Sequence, residues 1–166
     1  MFKVKNVQCK NFRQLRDLEI TFSTDEEKPL TVIRAEVESG KTTFVRALGW
    51  AFFGDSFLPR RRADFRISPL DWDLEQEKEV SISVEVSFNA GTEDTDYRLV
   101  RSTTEVLSGI CFTPGQTNLM LLESTGATGW KPAKNAQALL DNLVPETLRD
   151  IFFMDGDAAL AWIEAA

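Results

Sequence analysis

The sequence contains no histidine, and this absence removes several classes of function. Serine–histidine triads, histidine general bases and most zinc sites all need an imidazole group. The two cysteines, Cys9 and Cys111, lie far apart and match neither a metal-binding nor a CxxC spacing. We expect both to be buried free thiols, with a disulfide between them as the alternative.

The sequence also lacks long apolar runs and an excess of positive charge. No segment approaches the ~20 apolar residues that a membrane-spanning helix needs. The N-terminal stretch MFKVKNVQCKNFRQ is too polar for a signal peptide, so we expect a soluble, cytoplasmic protein without membrane contact. The net charge of −7 argues against a protein that coats DNA by bulk electrostatics, although a local basic patch remains compatible with it.

What the sequence does contain is enough apolar material for one domain. It has 166 residues, 43% of them hydrophobic, with twelve phenylalanines and four tryptophans. Alternating or β-branched patterns predict strands, and an uninterrupted apolar pattern predicts helices. The predicted strands are 1–12, 15–22, 30–35, 79–88, 95–103 and 117–124, the predicted helices are 41–54 and 133–144, and 125–132 is a predicted loop.

This order predicts an α/β nucleotide-binding core with an antiparallel β annex. Residues 30–53, LTVIRAEVESGKTTFVRALGWAFF, supply the strand, loop and helix of a phosphate-binding loop. Backbone N–H groups at the start of such a helix hold phosphate, and its dipole adds to their attraction. Gly40 avoids a collision with phosphate, Lys41 supplies a charge to the β- and γ-phosphates, and the Thr42 hydroxyl can bind Mg²⁺.

The first half of the loop departs from the usual pattern. Ala35 replaces the first glycine, and Val37 and Glu38 stand where small residues are expected. Alanine only requires φ below zero at its position. Glu38 could point to solvent while its N–H faces phosphate, and its carboxylate would repel a nucleotide if it turned inward. We expect a usable site, with a decayed, non-hydrolysing site as the alternative.

These segments resemble the N-terminal head segment of SMC-like ATPases of the ABC superfamily, of the SbcC and DndD kind. KNFRQ at 10–14 is similar to an early strand end of that family, and the stretch from EITF to Gly54 is similar to its Walker A region. IFFMDGD at 151–157 resembles the FFFDGE segment of DndD-like proteins. The resemblance implies the N-terminal lobe of an ABC-type P-loop head at 1–156 and the start of a coiled-coil helix at 157–166.

The resemblance also implies partners and cofactors. Two heads of this family sandwich ATP and Mg²⁺ at a dimer interface, and each head contains a C-terminal lobe. The assemblies act on DNA, in repair or anti-phage defence, together with further subunits. We therefore expect a homodimer, the C-terminal lobe of the same head and DNA as partners.

The same resemblance assigns roles to individual residues. Lys41 and Asp155 are the implied catalytic residues, with Asp155 at the position of a Q-loop glutamine, and Thr42 and Asp155 are the implied Mg²⁺ ligands. The implied nucleotide-binding residues are Arg13, Glu38, Ser39, Gly40, Lys41, Thr42 and Thr43.

The family also needs a signature motif, a Walker B Asp-Glu pair and a switch histidine, which belong to the C-terminal lobe. VLSGIC at 106–111 copies only the first letters of the signature, so we interpret it as a strand–turn fragment. This chain therefore resembles half of a head, and we expect little ATP hydrolysis from it alone.

Several alternatives remain open at this point. IFFMDGD could instead be a Walker B strand of a small P-loop kinase, or Asp157 could simply cap the following helix. The protein could also be a pseudo-ATPase scaffold that docks partner proteins. Arg13 could pair with Asp17 or Glu19 rather than with phosphate. The cluster Arg60, Arg61, Arg62 and Arg66 could contact DNA or pair with nearby acidic residues.

Overall fold

Antiparallel strands make up most of the fold. The computed structural model of the chain describes residues 2–72, 74–91, 95–126, 129–149 and 153. Within this part the sheet order is β2-β1-β3-β4-β6-β7, with β5 paired to β4, and each strand pair is antiparallel. The strands are β1 Lys3–Phe12, β2 Leu15–Thr21, β3 Leu74–Ala90, β4 Thr95–Gly109, β5 Cys111–Pro114, β6 Asn118–Ser124 and β7 Trp130–Pro132.

The longest hairpin of the sheet is the one that its sequence pattern predicts. β3 and β4 pair continuously from Val80 opposite Glu105 to Ala90 opposite Thr95. Alternate residues of β4 are buried, because successive side chains of a strand point to opposite faces of the sheet. The buried set mixes apolar and polar side chains: Tyr97, Leu99, Arg101, Thr103, Glu105 and Leu107.

One helix, α1 Lys41–Phe53, packs on the buried face of the sheet. Trp50 and Phe52 of this helix are buried, and Phe53 packs against the same core. The apolar pattern of the helix predicts these core positions. The helix ends at Gly54, whose φ of 68° lies in the left-handed region that favours glycine. The other helical elements of the described residues are α2 Ala136–Leu143 and the short 3₁₀ turns Gly54–Phe57, Arg62–Asp64 and Glu146–Leu148.

The main error of the sequence prediction is the segment 30–35, which is not a strand in the structure. Leu30 and Val32 are each 78% exposed and Ile33 is 44% exposed. A β-strand needs a neighbouring strand to satisfy its N–H and C=O groups, and no strand of the described residues pairs with this segment. The predicted loop 125–132 was also wrong in part, because Trp130–Pro132 joins the sheet edge through β6.

Both cysteines are free thiols, but only Cys9 is buried, so the expectation of a second buried thiol at Cys111 was wrong. The predictions for 157–166, for Asp155 and for Asp157 lie outside the described residues. None of the helices in the described part of the chain has the length and apolar character needed to cross a bilayer.

Candidate nucleotide-binding site

The candidate site is the loop that leads into helix α1. Gly40 precedes the helix as its N-cap with φ 101°, a conformation in which an L side chain is strained. A Cβ atom built on Gly40 would also lie 3.2 Å from Cγ and Nε2 of Gln14 and 3.3 Å from Cδ2 of Leu15. The glycine is therefore favoured both by its backbone conformation and by the close approach of the β1–β2 turn.

The backbone N–H groups at the start of this helix remain available for a ligand. The N–H groups of Gly40, Lys41, Thr42 and Thr43 donate to no acceptor among the described residues. They border a depression of about 130 Å³, the phosphate depression, which is lined by Gln14, Glu38, Gly40, Lys41, Thr42 and Thr43. Free amides, a positive helix end and a lysine around one depression fit the phosphate groups of a nucleotide.

Lys41 lies on the loop itself. Its Nζ donates to the carbonyl oxygen of Ala35 at 2.8 Å, and also to the carbonyl oxygen of Glu36. Both partners are exposed backbone groups, so the ammonium can exchange them for phosphate oxygens without leaving a buried polar atom unsatisfied. The loop is therefore closed by bonds that phosphate can replace.

The residues that depart from the usual loop adopt two different conformations. Ala35 has no positive φ, as the sequence predicts, whereas Glu38 has φ 65°. The left-handed region costs a non-glycine residue roughly 1–2 kcal/mol. Ser39 is held in place by bonds from its N–H and its hydroxyl to the carbonyl of Glu36. Position 38 thus has a conformation suited to glycine and holds an acidic residue that lines the phosphate depression.

Arg13 does not line this depression. Its N–H donates to the carbonyl of Ile67 at 2.6 Å, and its Nη1 donates to the carbonyl of Arg66 at 2.9 Å. The alternative pairing with Asp17 or Glu19 is therefore wrong, because the side chain donates to the carbonyl of Arg66 and forms no ion pair with a described residue.

Aromatic contact and burial also shape the surroundings of Arg13. Its guanidinium lies 4.9 Å from the centre of the Phe65 ring. Burial, and then the charges of Arg46 and Arg66, lower the pKa of the Arg13 guanidinium. The lowered pKa of Arg13 therefore reflects burial first and the neighbouring positive charges second.

The Arg13 side chain lines a second cavity, of about 490 Å³, next along helix α1. Arg46 and Arg60 line this arginine cavity too, and neither makes an ion pair with a described residue. Arg46 was not predicted from the sequence, although its position one helical turn beyond Thr42 places it on the same side of α1. The cavity carries an excess of positive charge.

The arginine cluster divides into structural and exposed members. Arg62 forms an ion pair with the fully buried Glu105. Arg66 is buried and donates to the hydroxyl of its neighbour Ser68 at 3.0 Å. The other two members of the cluster, Arg60 and Arg61, are exposed. Within the cluster, only these two remain candidates for contact with a ligand from solution.

Thr42 is exposed at the helix start, where its hydroxyl fits an Mg²⁺ ion that shares phosphate oxygens. Among the described residues no group of three or more His, Cys, Asp or Glu side chains could hold a metal by itself. A metal at this site would therefore depend on the nucleotide for most of its ligands.

The sequence model of one protein family, described as the AAA domain, matches residues 6–126. This match spans the loop, helix α1 and most of the sheet. The chain belongs to the AAA domain family. Comparison with curated proteins gave no significant match.

Membership of this family identifies the chain as a P-loop ATPase domain with an ATP-binding role. The matched range includes the loop at 35–42 that the sequence predicts to bind phosphate. VLSGIC at 106–111 forms the end of β4, where Gly109 has φ 56°, a turn at Ile110, and the start of β5. Its interpretation as a strand–turn fragment is confirmed.

Proposed function

We propose that this AAA domain is the ATP-binding N-terminal lobe of an SMC-like head of the SbcC and DndD kind, which couples ATP binding and hydrolysis to action on DNA. The observation that carries the proposal is the phosphate depression, where four N–H groups without an acceptor among the described residues meet Lys41 and Thr42 at one helix end. Bound ATP would supply the β- and γ-phosphates and most of the Mg²⁺ ligands. Asp155 keeps its proposed role as a further Mg²⁺ ligand.

The exposed segment 30–37 supports the proposal of a partner lobe. Leu30, Val32 and Val37 are 78%, 78% and 89% exposed, and all three precede Gly40 and helix α1. Apolar side chains with this exposure, in a segment without strand pairing to the described residues, are suited to addition to a second sheet. We propose that the C-terminal lobe of the same head covers them and that a second head completes the nucleotide site.

The arginine cavity supports a proposed extension of the nucleotide site. Arg13 and Arg46 line it, and Arg46 lies one helical turn beyond the phosphate loop. Guanidinium groups bind phosphate oxygens in a bidentate manner, which suits the α-phosphate side of a nucleotide. Arg13 would then act from the neighbouring cavity rather than from inside the loop.

Nucleotide titration tests the proposal. Isothermal titration of Mg-ATP into the purified chain should show binding that Lys41→Ala weakens by roughly ten- to a hundredfold, since a hydrogen bond to a charged group contributes about 1.5–3 kcal/mol. Lys28→Ala is the matched control, because Lys28 is exposed and its side chain makes no ion pair with a described residue. Equal binding by the wild type and Lys41→Ala would contradict the proposal.

The DNA part of the proposal has a separate test. Fluorescence anisotropy with a labelled duplex should show binding that increases with Mg-ATP and decreases with salt. Replacement of Arg60 and Arg61 by alanine should weaken this binding, whereas Lys134→Ala, at an exposed cation outside the phosphate loop and the segment 30–37, should not. If DNA binding is the same with and without Mg-ATP, and the same after replacement of Arg60 and Arg61, the proposed action on DNA is contradicted.

A pseudo-ATPase scaffold is the second candidate, and one observation favours it. Glu38 lines the phosphate depression, and a carboxylate at this position would repel the phosphate groups of a nucleotide. If a well-folded wild-type chain binds neither Mg-ATP nor Mg-ADP, the exposed segment 30–37 would then serve to dock a partner protein.

A further inference from the structure

Gln14 lies in the turn between β1 and β2, and this turn faces the phosphate loop. Phe12 pairs with Leu15, so Arg13 and Gln14 form a two-residue hairpin turn. Arg13 has φ 54°, at a turn position where glycine is usual. Its bonds to the carbonyls of Ile67 and Arg66 hold it there despite the strain. The turn therefore holds Gln14 in a fixed place.

The Gln14 side chain bonds to the start of helix α1 and lies close to Gly40. Its Oε1 accepts a hydrogen bond from the Thr43 hydroxyl at 3.0 Å, and Thr43 is buried in the first turn of α1. Its Nε2 lies 3.2 Å from the position that a Cβ atom on Gly40 would take. Among the described residues that line the phosphate depression, Gln14 alone comes from outside the loop and helix α1.

The nitrogen of this amide is available to a ligand. Within the described part of the chain, Nε2 of Gln14 donates to no acceptor, whereas Oε1 is already bonded to Thr43. A primary amide has two N–H donors, and the oxygens of an ionised phosphate accept hydrogen bonds. The amide therefore adds side-chain donors to the backbone N–H groups of the same depression.

We propose that Gln14 is a phosphate-binding residue of this AAA domain, whose Nε2 donates to the phosphate held by the loop while its Oε1 holds Thr43. This inference rests on the proposed nucleotide-binding function. Gln14 comes from the β1–β2 hairpin, whereas the other residues of the site lie at 38–43. The β1–β2 turn would therefore take part in holding phosphate in the loop.

The test is a titration with Mg-pyrophosphate and with Mg-ATP. Gln14→Glu keeps an acceptor for the Thr43 hydroxyl but replaces the donor by a negative charge, so affinity for both ligands should fall about tenfold or more. Gln14→Leu removes the donor without adding charge and should cause a smaller loss. Gln116→Glu is the matched control, because Gln116 is exposed and does not line the phosphate depression.

The outcomes separate this inference from the function on which it rests. If the wild type binds neither ligand, the proposed function fails. If the wild type binds and Gln14→Glu binds equally well, only the role of Gln14 is overturned. Thermal unfolding of each variant checks the fold.

If both Gln14 variants fail to fold, a measurement on the wild-type protein tests the role of Gln14 instead. The side-chain amide signals of Gln14 in a ¹H–¹⁵N spectrum should shift as Mg-pyrophosphate is added, and unchanged signals would overturn the inference. A purely structural role in holding Thr43 predicts no such shift.

Discussion

Arg62 and Glu105 form an ion pair in the core, with 2.6 Å between Nη1 and Oε1. Glu105 is fully buried, and its carboxylate also accepts hydrogen bonds from the N–H groups of Ile67 at 2.9 Å and Ser68 at 2.8 Å. One carboxylate from β4 thus holds the segment that borders the arginine cavity. Part of the basic cluster therefore stabilises the fold and does not form a solvent-exposed charged surface.

Glu105→Ala should therefore destabilise the protein strongly. It leaves the Arg62 guanidinium without its counter-ion and two buried N–H groups without their acceptor, and breaking a buried pair in this way costs about 3–5 kcal/mol. Urea unfolding followed by tryptophan fluorescence measures the loss. Glu79→Ala is the control, since Glu79 is exposed on β3, and it should change stability by less than about 0.5 kcal/mol. Similar free energies of unfolding for the two variants would contradict the structural role of Glu105.

Glu38→Gly should tighten nucleotide binding. Glycine adopts the φ of 65° without strain, and the substitution also removes a carboxylate from the phosphate depression. Titration with Mg-ATP should show a several-fold lower Kd. Glu38→Ala separates the two effects, because it removes the charge but keeps the strain. Its affinity should match that of Glu38→Gly, and its free energy of unfolding should be lower than that of Glu38→Gly by about 1 kcal/mol.

Gly49→Ala should destabilise the fold, although alanine usually stabilises a helix by about 1 kcal/mol relative to glycine. A Cβ atom at position 49 would lie only 2.1 Å from Cε1 of Phe57, so the ring or the helix must move. Overpacking of this kind costs about 1–3 kcal/mol. Thermal unfolding measures it, and the same substitution in a Phe57→Ala background should instead be neutral or stabilising.

Cys9 and Cys111 should differ in reactivity. Burial raises the pKa of the Cys9 thiol to about 12, so it has almost no thiolate in mildly alkaline buffer, whereas Cys111 is exposed. A thiol-disulfide reagent should modify one cysteine in the native protein and both in urea. Cys111→Ser should abolish the native reaction, and rapid native modification of Cys9 would contradict the burial.

The same pKa shift predicts a loss of stability at alkaline pH. The Cys9 thiol stays neutral in the folded state up to about pH 12, but in the unfolded state it ionises near its ordinary pKa of 9.0. The unfolded state therefore binds fewer protons above pH 9, and stability falls as pH rises from there toward 12. Cys9→Val should flatten this part of the curve relative to Cys111→Ser.

The sequence by itself determined the local elements of this protein. Strand alternation, the β3–β4 hairpin, the loop that leads into α1 and the helix end at Gly54 all follow from patterns within a few residues. The core positions of Trp50 and Phe52 follow from the apolar character of their helix. Such features depend on backbone preferences and side-chain spacing, which sequence displays directly.

Only the tertiary structure decided the relationships between distant residues. It placed Gln14 against Gly40, turned Arg62 inward to Glu105, and left the apolar segment 30–35 without a strand partner among the described residues. Each of these depends on which elements pack together, because hydrogen bonds and ion pairs require atoms within about 3 Å regardless of their separation along the chain. Sequence patterns carry no record of those distances.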